Sequence, residues 1–445
     1  MSRIHRQTKA SIGLNKENGS STRSLGRRGV LKGAAAAAAL GVGLFAGRAP
    51  AMAQERKLHF LLNSNFRPPF DVEVRKLAAE YKSVAGVDVS TEFIQNNDVP
   101  ARISAAIESG GGPDLMVVQW NQAHIFSGGL TDVGTLVEAA GGNRIYASSR
   151  GATIVEGVYR AVPWYIISSA MNYNKTLCDA AGVTRYPDTY NELLVAGKKL
   201  KDAGTPVGWC LGHTNGDGAF GNYPIFWAFG AVEVDDKGQV ALNSRQGKHA
   251  VDWMRQFWKD CCDESGTSWN DTSNNQAFLA GQIAATINPP SIYLKARVDK
   301  MPLADQMRHT IAPAGPAGRF HLNQPVSVGI PKYGKNQAAA REFLAWLMAK
   351  PQYERTFLAG GGFALGITRE FETHAFWKAD PILQPFAECS KYARNMGYKG
   401  PFNRASAEVQ NKYIIADTFA RSLNDGTDAA LKWAEQELKL IYARA

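Results

Sequence analysis

The chain has 445 residues, with 50 Lys and Arg against 40 Asp and Glu, which gives a formal net charge of +10. Nine of these bases but only one acid, Glu17, lie in residues 1–53, so the rest of the chain carries 41 bases against 39 acids. A surface so close to neutral offers no general field for nucleic acid or an anionic membrane, and we expect neither as a partner. The remaining residues exceed what one hydrophobic core usually serves, which predicts two lobes.

The N-terminal segment has the three parts of an export signal. Arg27 and Arg28 precede an alanine-rich apolar run at 33–46, and a small-x-small cleavage site follows at 51–53. The paired arginines and the long polar leader favour the twin-arginine route, with the general secretory route as the alternative. An uncleaved anchor is disfavoured because the apolar run is shorter than the ~20 residues of a spanning helix. We predict cleavage near Ala53 and a periplasmic location.

The cysteine count leaves the redox state of the chain open. An odd number is present, namely Cys178, Cys210, Cys261, Cys262 and Cys389. Either one disulfide joins Cys210 to a member of the adjacent pair, which cannot bridge to each other without strain, or all five are buried thiols. No C-x-x-C or Cys/His spacing suggests zinc, and we expect neither a metal nor another cofactor.

Short apolar runs alternate with amphipathic stretches from residue 57 onward, as in an α/β sheet with crossover helices. The pattern predicts strands at 57–62, 87–94 and 115–118, with helices at 71–85 and 99–109 between them. Two consecutive βαβ units imply a parallel sheet, whose ligand crevice lies beyond the carboxyl ends of its strands.

This rule nominates the polar and aromatic residues that follow each strand as ligand contacts. They are Asn63, Ser64, Asn65, Phe66 and Arg67 after the first strand, residues 95–98 after the second, and Gln119, Trp120 and Asn121 after the third. Arg67 has two interpretations: it pairs with an anionic group of the ligand, or it is a solvated loop arginine.

Four motifs occur in a fixed order along most of the chain. They are Gly-Gly-Pro-Asp-Leu at 111–115, Val-Pro-Trp-Tyr at 162–165 followed by Ala-Met-Asn-Tyr-Asn-Lys at 170–175, Ala-Phe-Leu-Ala-Gly-Gln-Ile-Ala-Ala at 277–285, and Val-Gly-Ile-Pro-Lys at 328–332. In these motifs the chain resembles the extracellular solute-binding proteins of ABC importers, in the sugar-type group that includes maltose-binding protein. Ala285 departs from the methionine usual in that family.

The resemblance implies a periplasmic-binding-protein-like fold, with two α/β lobes, a hinge and a ligand cleft between them. Carried over by position, the first lobe comprises 54–162 and 331–365, the second 163–324 and 366–445, and the hinge 325–330. The implied function is that of a monomeric periplasmic receptor that binds a sugar or oligosaccharide and delivers it to an ABC transporter permease, without catalysis. No G-x-S-x-G, H-E-x-x-H or P-loop motif is present. A carbohydrate-active enzyme with two carboxylates, or a receptor for a polyol or an organic anion, stays as an alternative.

A sugar cleft needs aromatic planes for C–H faces and side-chain amides for hydroxyl groups. This requirement adds further candidates from the loops, the implied hinge and the later motifs: Trp164, Tyr165, Asn222, Tyr223, Trp227, Trp269, Asn288, Tyr293, Gly361, Gly362 and Phe363. Each has an alternative structural role. The tryptophans can be core residues, Asn288 can cap a helix, and the glycines can end one.

The export signal can be tested on the periplasmic protein. We expect mass spectrometry to find an N-terminus at or within a few residues of Gln54, because the small-x-small site ends at Ala53. Full-length protein in the membrane fraction would contradict this expectation. Replacing Arg27 and Arg28 together by lysine should block export by the twin-arginine route, whereas undiminished export would indicate the general secretory route.

Overall fold

The computed structural model describes residues 56–444. The predicted export signal and cleavage site lie outside this range. Within it, no helix combines the length and the apolar character that a membrane span requires.

Fifteen strands are present in the described range. They are β1 Arg56–Asn63, β2 Val87–Ile94, β3 Leu115–Gln119, β4 Ile154–Val155, β5 Val158–Tyr159, β6 Val162–Ile167, β7 Ala170–Asn174, β8 Val207–Gly208, β9 Ala285–Asn288, β10 Met307–Thr310, β11 Ala314–Gly315, β12 Gly318–Arg319, β13 His321–Leu322, β14 Gln324–Gly329 and β15 Ala393–Arg394.

Nineteen α-helices occur in the same part of the chain. They are α1 Pro68–Ala85, α2 Val99–Ser109, α3 Ala123–Phe126, α4 Gly134–Ala140, α5 Ala147–Gly151, α6 Lys175–Ala180, α7 Tyr190–Asp202, α8 Asp217–Ala228, α9 Arg245–Cys261, α10 Ser273–Leu279, α11 Ser291–Val298, α12 Leu303–Gln306, α13 Gln337–Leu347, α14 Lys350–Gly360, α15 Phe376–Ala379, α16 Gln384–Glu388, α17 Arg404–Asn411, α18 Ile414–Asp425 and α19 Thr427–Tyr442.

Two sheets organise the molecule. The five-stranded sheet has the order β2-β1-β3-β14-β6 and the four-stranded sheet the order β10-β7-β9-β8. Helices α1, α2, α4 and α13 pack on the first sheet and α14 packs on α1. Helices α7, α8 and α10 pack on the second sheet, with α9 and α11 against them. Each sheet with its helices is called here the first or the second lobe, so the predicted two-lobed α/β fold is confirmed.

The sequence pattern predicts the first sheet well. The strand at 87–94 and the helix at 99–109 have the predicted bounds, and the other three elements differ by one to three residues. β1 pairs in parallel with β2 and β3, as two βαβ units require. The sheet is nevertheless mixed, because β14 pairs antiparallel with both β3 and β6.

The chain passes between the lobes at two neighbouring strand ends. Ser168 and Ser169 join β6 to β7, and Asn323 joins β13 to β14. Beside them, Leu365 exchanges backbone hydrogen bonds with Ile166 at 2.8 and 3.0 Å. Both passages lie at one end of the β6–β14 pair.

Strand pairing shifts two predicted lobe boundaries. The border at 162/163 falls inside β6, and all of β6 from Val162 to Ile167 belongs to the first sheet. The predicted hinge at 325–330 likewise lies almost wholly in β14, which pairs on both sides within that sheet. The changes of sheet therefore occur at 168–169 and 323. The division of 331–445 between the lobes stays a prediction.

Local chemistry explains where key helices begin and end. Helix α1 begins with two prolines, whose fixed φ and missing N–H suit a first turn, and ends at Gly86 with a left-handed φ of 65°. Helix α7 begins with a capping box, in which Thr189 and Glu192 accept each other's backbone N–H at 3.2 and 3.1 Å.

The five cysteines are buried free thiols. Burial raises the pKa of Cys178 and Cys389 to about 12. Because the thiolate is the reactive form, these groups are inert hydrophobes in the fold. Of the two predicted alternatives, the structure corresponds to the one without a disulfide.

The C-terminal helices close the second lobe and reach the first. Helices α18 and α19 pack on α9, and the predicted helical tail is confirmed, since Leu431, Leu438 and Ile441 are fully buried. Helix α17 packs on α3, which follows β3 of the first sheet.

Glu233 ties this tail to the second lobe. Its side chain is 2% exposed and accepts hydrogen bonds from the Tyr442 hydroxyl at 2.6 Å and the Gly397 backbone N–H at 3.2 Å. Burial raises the pKa of Glu233 to about 7, and the two hydrogen bonds only partly oppose that effect. The buried carboxyl group is therefore favoured in its protonated form.

This raised pKa predicts that the free energy of unfolding falls as the pH rises from 4.5 through 7. A carboxyl group with pKa 4.5 unfolded and about 7 folded stabilises the fold fully below pH 4.5 and loses that contribution as pH rises through 7. Glu233→Gln, which stays neutral, should remove about 3 kcal/mol of this decline. Urea unfolding at pH 5 and pH 8 measures it. Glu264→Gln is the control, since Glu264 is 84% exposed. Equal pH dependence in wild type and Glu233→Gln would contradict the assignment.

Candidate functional site

A cavity of about 350 Å³ lies between the lobes at the carboxyl ends of β1 and β2. The first lobe contributes the loops after these strands, and the second lobe contributes the turn before α10. The lining residues are Ser64, Asn65, Phe66, Gln95, Asn96, Asn97, Asn270, Asp271 and Thr272.

A smaller extension of about 30 Å³ continues from this cavity toward the passages between the sheets. It shares Phe66, Asn96 and Asp271 with the cavity. Its other lining residues are Asn63, Ile167, Gly216, Asp217, Phe220, Asn288, Pro289, Ser291, Gln324 and Phe363. The cavity and its extension are together called the cleft below.

The cleft combines amide and hydroxyl groups with aromatic rings. The rings of Phe66 and Phe363 lie 5.9 Å apart at an interplanar angle of 31° and form an apolar wall. Two carboxylates, Asp217 and Asp271, belong to the lining, and in the described part of the chain no Lys or Arg does. The cleft therefore suits a ligand with both apolar faces and many hydrogen-bonding groups.

Three buried polar atoms of lining residues have no hydrogen-bond partner. They are Oδ2 of Asp217, Nε2 of Gln324 and Nδ2 of Asn65. Their residues are 5%, 2% and 7% exposed, respectively. One acceptor and two amide donors of the lining are therefore available to pair with a polar ligand.

The start of helix α8 positions the two acids. The Asp271 carboxylate accepts the backbone N–H groups of Asn215, Gly216 and Asp217 at 3.0 to 3.1 Å, and a negative charge is favourable at a helix N-terminus. Asp217 is the first residue of that helix. Burial, and then the Asp271 carboxylate, raise the pKa of Asp217 well above its usual range.

Asn215 connects the two lobes beside the cleft. Its side-chain amide donates to Oε1 of Gln119 at 2.5 Å, and its backbone N–H donates to Oδ1 of Asn97 at 3.2 Å. Its two oxygens accept the indole N–H of Trp120 at 3.0 and 3.1 Å. Asn215 thus bonds to the ends of both β2 and β3 from the second lobe.

The structure brings nine of the predicted residues into the lining of the cleft. They are Asn63, Ser64, Asn65, Phe66, Gln95, Asn96, Asn97, Asn288 and Phe363. The strand-end rule therefore locates the first-lobe wall correctly, including residues 95–97. Whether these side chains bind a ligand stays a prediction.

The residues after β3 have a different place from the predicted one. Trp120 is 2% exposed, packs against Phe220 at 5.6 Å and lines neither part of the cleft. Gln119 bonds to Asn96 and Asn215, and Asn121 donates to Oγ of Ser406 at 2.8 Å. These three side chains join the lobes, so the expected stacking plane of Trp120 is instead a lobe contact.

The predicted hinge aromatics Trp164 and Tyr165 belong to the first-lobe core. Their rings lie 5.3 and 5.1 Å from that of Phe70, and both are almost fully buried. Both rings therefore support the cleft wall from behind and do not line it.

The predicted residues of α8 are also packed away from the cleft. Asn222 accepts the indole N–H of Trp209 and donates to the Cys210 carbonyl, while Tyr223 and Trp227 are 2% exposed. Every residue of α8 is buried, because the helix lies inside the second lobe. The core interpretation of these residues fits the structure better than the ligand interpretation.

The last predicted residues surround the cleft without lining it. Trp269 donates to Oγ of Ser265, and the Tyr293 hydroxyl donates to Asp380 at 2.7 Å. Gly361 and Gly362 end α14 with φ values of 58° and 90°, the C-capping role. Arg67 lies against the turn at Gly361. Its Nε is 3.1 Å from the point where a side chain at that glycine would begin. The residue is half-buried there and does not line the cleft.

Apart from Asn288, the sequence reasoning missed the second-lobe wall, which contains Asp217, Phe220 and Asp271 together with the connecting residue Asn215. The available signal was compositional. Short runs of Asn, Asp, Gly and Thr precede α8 and α10, at 214–218 and 270–272. Such runs also mark ordinary helix caps and turns, so they do not single out a binding wall.

Two α/β lobes with a polar cleft at the passages between their sheets define a solute-binding receptor fold. Residues 68–354 match the model of the bacterial extracellular solute-binding protein family. This match covers more than half of the chain, and the protein belongs to that family.

Individual relatives are distant. A probable ABC transporter-binding protein of Deinococcus radiodurans is 22% identical over 45% of this chain, and the match spans only half of that relative. The maltotriose-binding protein of Pyrococcus abyssi is 23% identical over 73% of this chain and 70% of its own length. Among solved structures, maltose-bound T. maritima MalE3 aligns with a TM-score of 0.74 at 18% identity, covering 86% of this chain and 99% of that one.

The lobe contact made by Trp120 can be measured in the ligand-free protein. Trp120→Phe keeps the ring packing on Phe220 but loses both hydrogen bonds to Asn215, so unfolding free energy should fall by about 1 to 2 kcal/mol in urea titrations. Trp346→Phe is the matched control, because Trp346 packs on Tyr81 and Phe343 inside the first lobe. An equal loss of unfolding free energy in the two variants would show that the hydrogen bonds between the lobes add nothing to stability.

Proposed function

We propose that this protein is the receptor of an ABC importer, which binds a sugar or oligosaccharide in the cleft and delivers it to a membrane permease. The observation that carries the proposal is the set of unpaired amide and carboxyl atoms beside an aromatic wall, in a cleft between two lobes. A pyranose ring offers C–H faces to the Phe66–Phe363 wall and hydroxyl groups to these atoms.

The comparisons support the same ligand class. The family consists of solute-binding proteins, and the Pyrococcus relative is named for maltotriose. The T. maritima structure holds maltose in the same fold. At these identities the fold carries over but the sugar does not, and polyols remain compatible with the cleft.

The proposed role involves no catalysis. The acids in the cleft are the feature that favours a carbohydrate-active enzyme as a second candidate, because glycosidases use two carboxylates. Asp271, however, already accepts three backbone N–H groups that fix the start of α8. This structural role accounts for its position without a reaction, so we prefer the receptor.

The remaining parts of the proposal concern the cellular location of the protein, its partner and the movement of its lobes. We infer export to the periplasm with cleavage near Ala53, a monomeric receptor, and a permease in the inner membrane as partner. The lobes can swing about the passages at 168–169 and 323. A ligand that contacts both lobes favours the closed arrangement through its extra affinity for that form.

A thermal-shift screen with neutral mono-, di- and trisaccharides and alditols tests the function. A ligand at 100 times its dissociation constant stabilises the folded state by about 2.7 kcal/mol, which raises the melting temperature measurably. Chromatography after incubation should recover the ligand unchanged, since product formation would favour the enzyme. Absence of a shift with every carbohydrate would contradict the proposal.

The same screen tests the site through a matched pair of variants. Gln324→Leu should weaken binding about tenfold by calorimetry, because it removes an unpaired amide donor of the cleft. Gln282→Leu, on an exposed turn of the second lobe, should bind as wild type does. Equal affinity in the two variants would place the ligand elsewhere.

A further inference from the structure

The side chains that line the cleft include two acids and, in the range 56–444, no Lys or Arg. These acids, Asp217 and Asp271, lie in the lining of its inner extension. Oδ2 of Asp217 is unpaired and the residue is 5% exposed, while the half-buried Asp271 carboxylate accepts backbone N–H groups, so no lining cation pairs with either acid.

We propose that the acid pair Asp217 and Asp271 makes the cleft a site for uncharged polyhydroxyl ligands and excludes sugar acids and sugar phosphates. The inference rests on the proposed function and narrows its ligand class. Burial and the neighbouring Asp271 carboxylate raise the pKa of Asp217 and favour its protonated form. A carboxylate or phosphate in the extension would therefore approach the Asp271 carboxylate at low dielectric, with no counter-ion among the lining residues to offset the repulsion.

A hydroxyl group matches the unpaired atoms of the cleft. It can donate to an ionised Asp217 or accept from a protonated one, so it suits either state of this buried acid. It can also accept from Nε2 of Gln324 and Nδ2 of Asn65, the two unpaired amide donors. A polyol therefore satisfies one acceptor and two donors without introducing charge.

Arg67 is the nearest feature that could favour an anion. It follows Phe66 in the chain, and burial lowers the pKa of its guanidinium group. Its Nε lies against the turn at Gly361, at the end of α14, and the residue is absent from the lining of both parts of the cleft. Although this Nε is buried and has no hydrogen-bond partner, Arg67 offers no side-chain contact to a ligand held by the lining residues.

The volume of the cleft adds a limit on ligand size. A main cavity of about 350 Å³ with an extension of about 30 Å³ is near the low end of the ~300 to 1,000 Å³ typical of small-molecule sites. The cleft in this structure therefore suits a ligand of one or two sugar rings better than a long oligosaccharide.

Matched probes that differ in one group test the proposal by calorimetry at pH 7. The sets are glucose, galactose and mannose, each with its uronic acid and 6-phosphate, and maltose, cellobiose and lactose, each with its aldonic acid. We expect neutral members to bind and each acid or phosphate to bind at least about 30-fold more weakly than its neutral counterpart.

The two possible failures are distinct. An acid or phosphate that binds as tightly as its neutral counterpart overturns the inference and leaves the receptor function intact. If the folded protein binds no carbohydrate of either charge, the proposed function itself is overturned, and the inference with it.

Variants assign the selectivity to the acid pair. Asp271→Asn should reduce the acid-to-neutral ratio of dissociation constants to about 5 or less, by removing the carboxylate, with circular dichroism to confirm folding. Asp217→Asn is the second variant and should act in the same direction but less, because burial favours the protonated form of this acid. Asp236→Asn is the control, because Asp236 is 79% exposed and pairs with Lys399. A ratio unchanged in both cleft variants overturns the assignment to this pair.

Discussion

The antiparallel pairing of β6 with β14 is the constraint on which the rest of the molecule depends. Both strands leave the first sheet at the same end, one at Ile167 and the other at Gln324, and Leu365 bonds to Ile166 beside them. Because the pairing of β6 with β14 holds these two strand ends side by side, the chain changes lobe at neighbouring positions. The inner extension of the cleft lies there, with Ile167 and Gln324 in its lining.

The two walls of the cleft are made by different means. The first lobe supplies loops after parallel strands, where residues from separate strands meet at one sheet edge. The second lobe supplies a helix start and a turn, held together by the Asp271 carboxylate and the three N–H groups it accepts. The first wall is thus fixed by strand pairing and the second by hydrogen bonds at a helix start. Substitutions near the first wall should disturb the sheet, whereas those near the second should disturb the start of α8.

The predictability of each wall follows from this difference. Periodicity and the strand-end rule predicted β1 to β3 and the lining at Asn63, Asn65 and Phe66, because those signals are local in sequence. Composition alone could not show that Trp120 points to Asn215, since that contact joins residues 95 positions apart in the chain. It also could not separate the core tryptophans of the second lobe from stacking planes, because burial of a loop residue depends on what the other lobe places over it.

The mixed sheet shows the same limit. Two βαβ units predicted parallel pairing, and β1 to β3 obey it. β14 returns from the second lobe more than 200 residues after β3, and its antiparallel direction is set by the passage between lobes. No local pattern in β14 distinguishes this direction. The resemblance to the receptor family supplied the order of the lobes, while strand pairing was needed to place their borders.

The burial of every cysteine has a practical consequence for observing the protein at work. Cys178, Cys210, Cys261, Cys262 and Cys389 are all inaccessible thiols with raised pKa values, so maleimide dyes should leave the native protein unlabelled. A cysteine introduced on the exposed face of each lobe would then carry the fluorophores without removing any native residue. Energy transfer between the two dyes would report the distance between the lobes in single molecules, in real time.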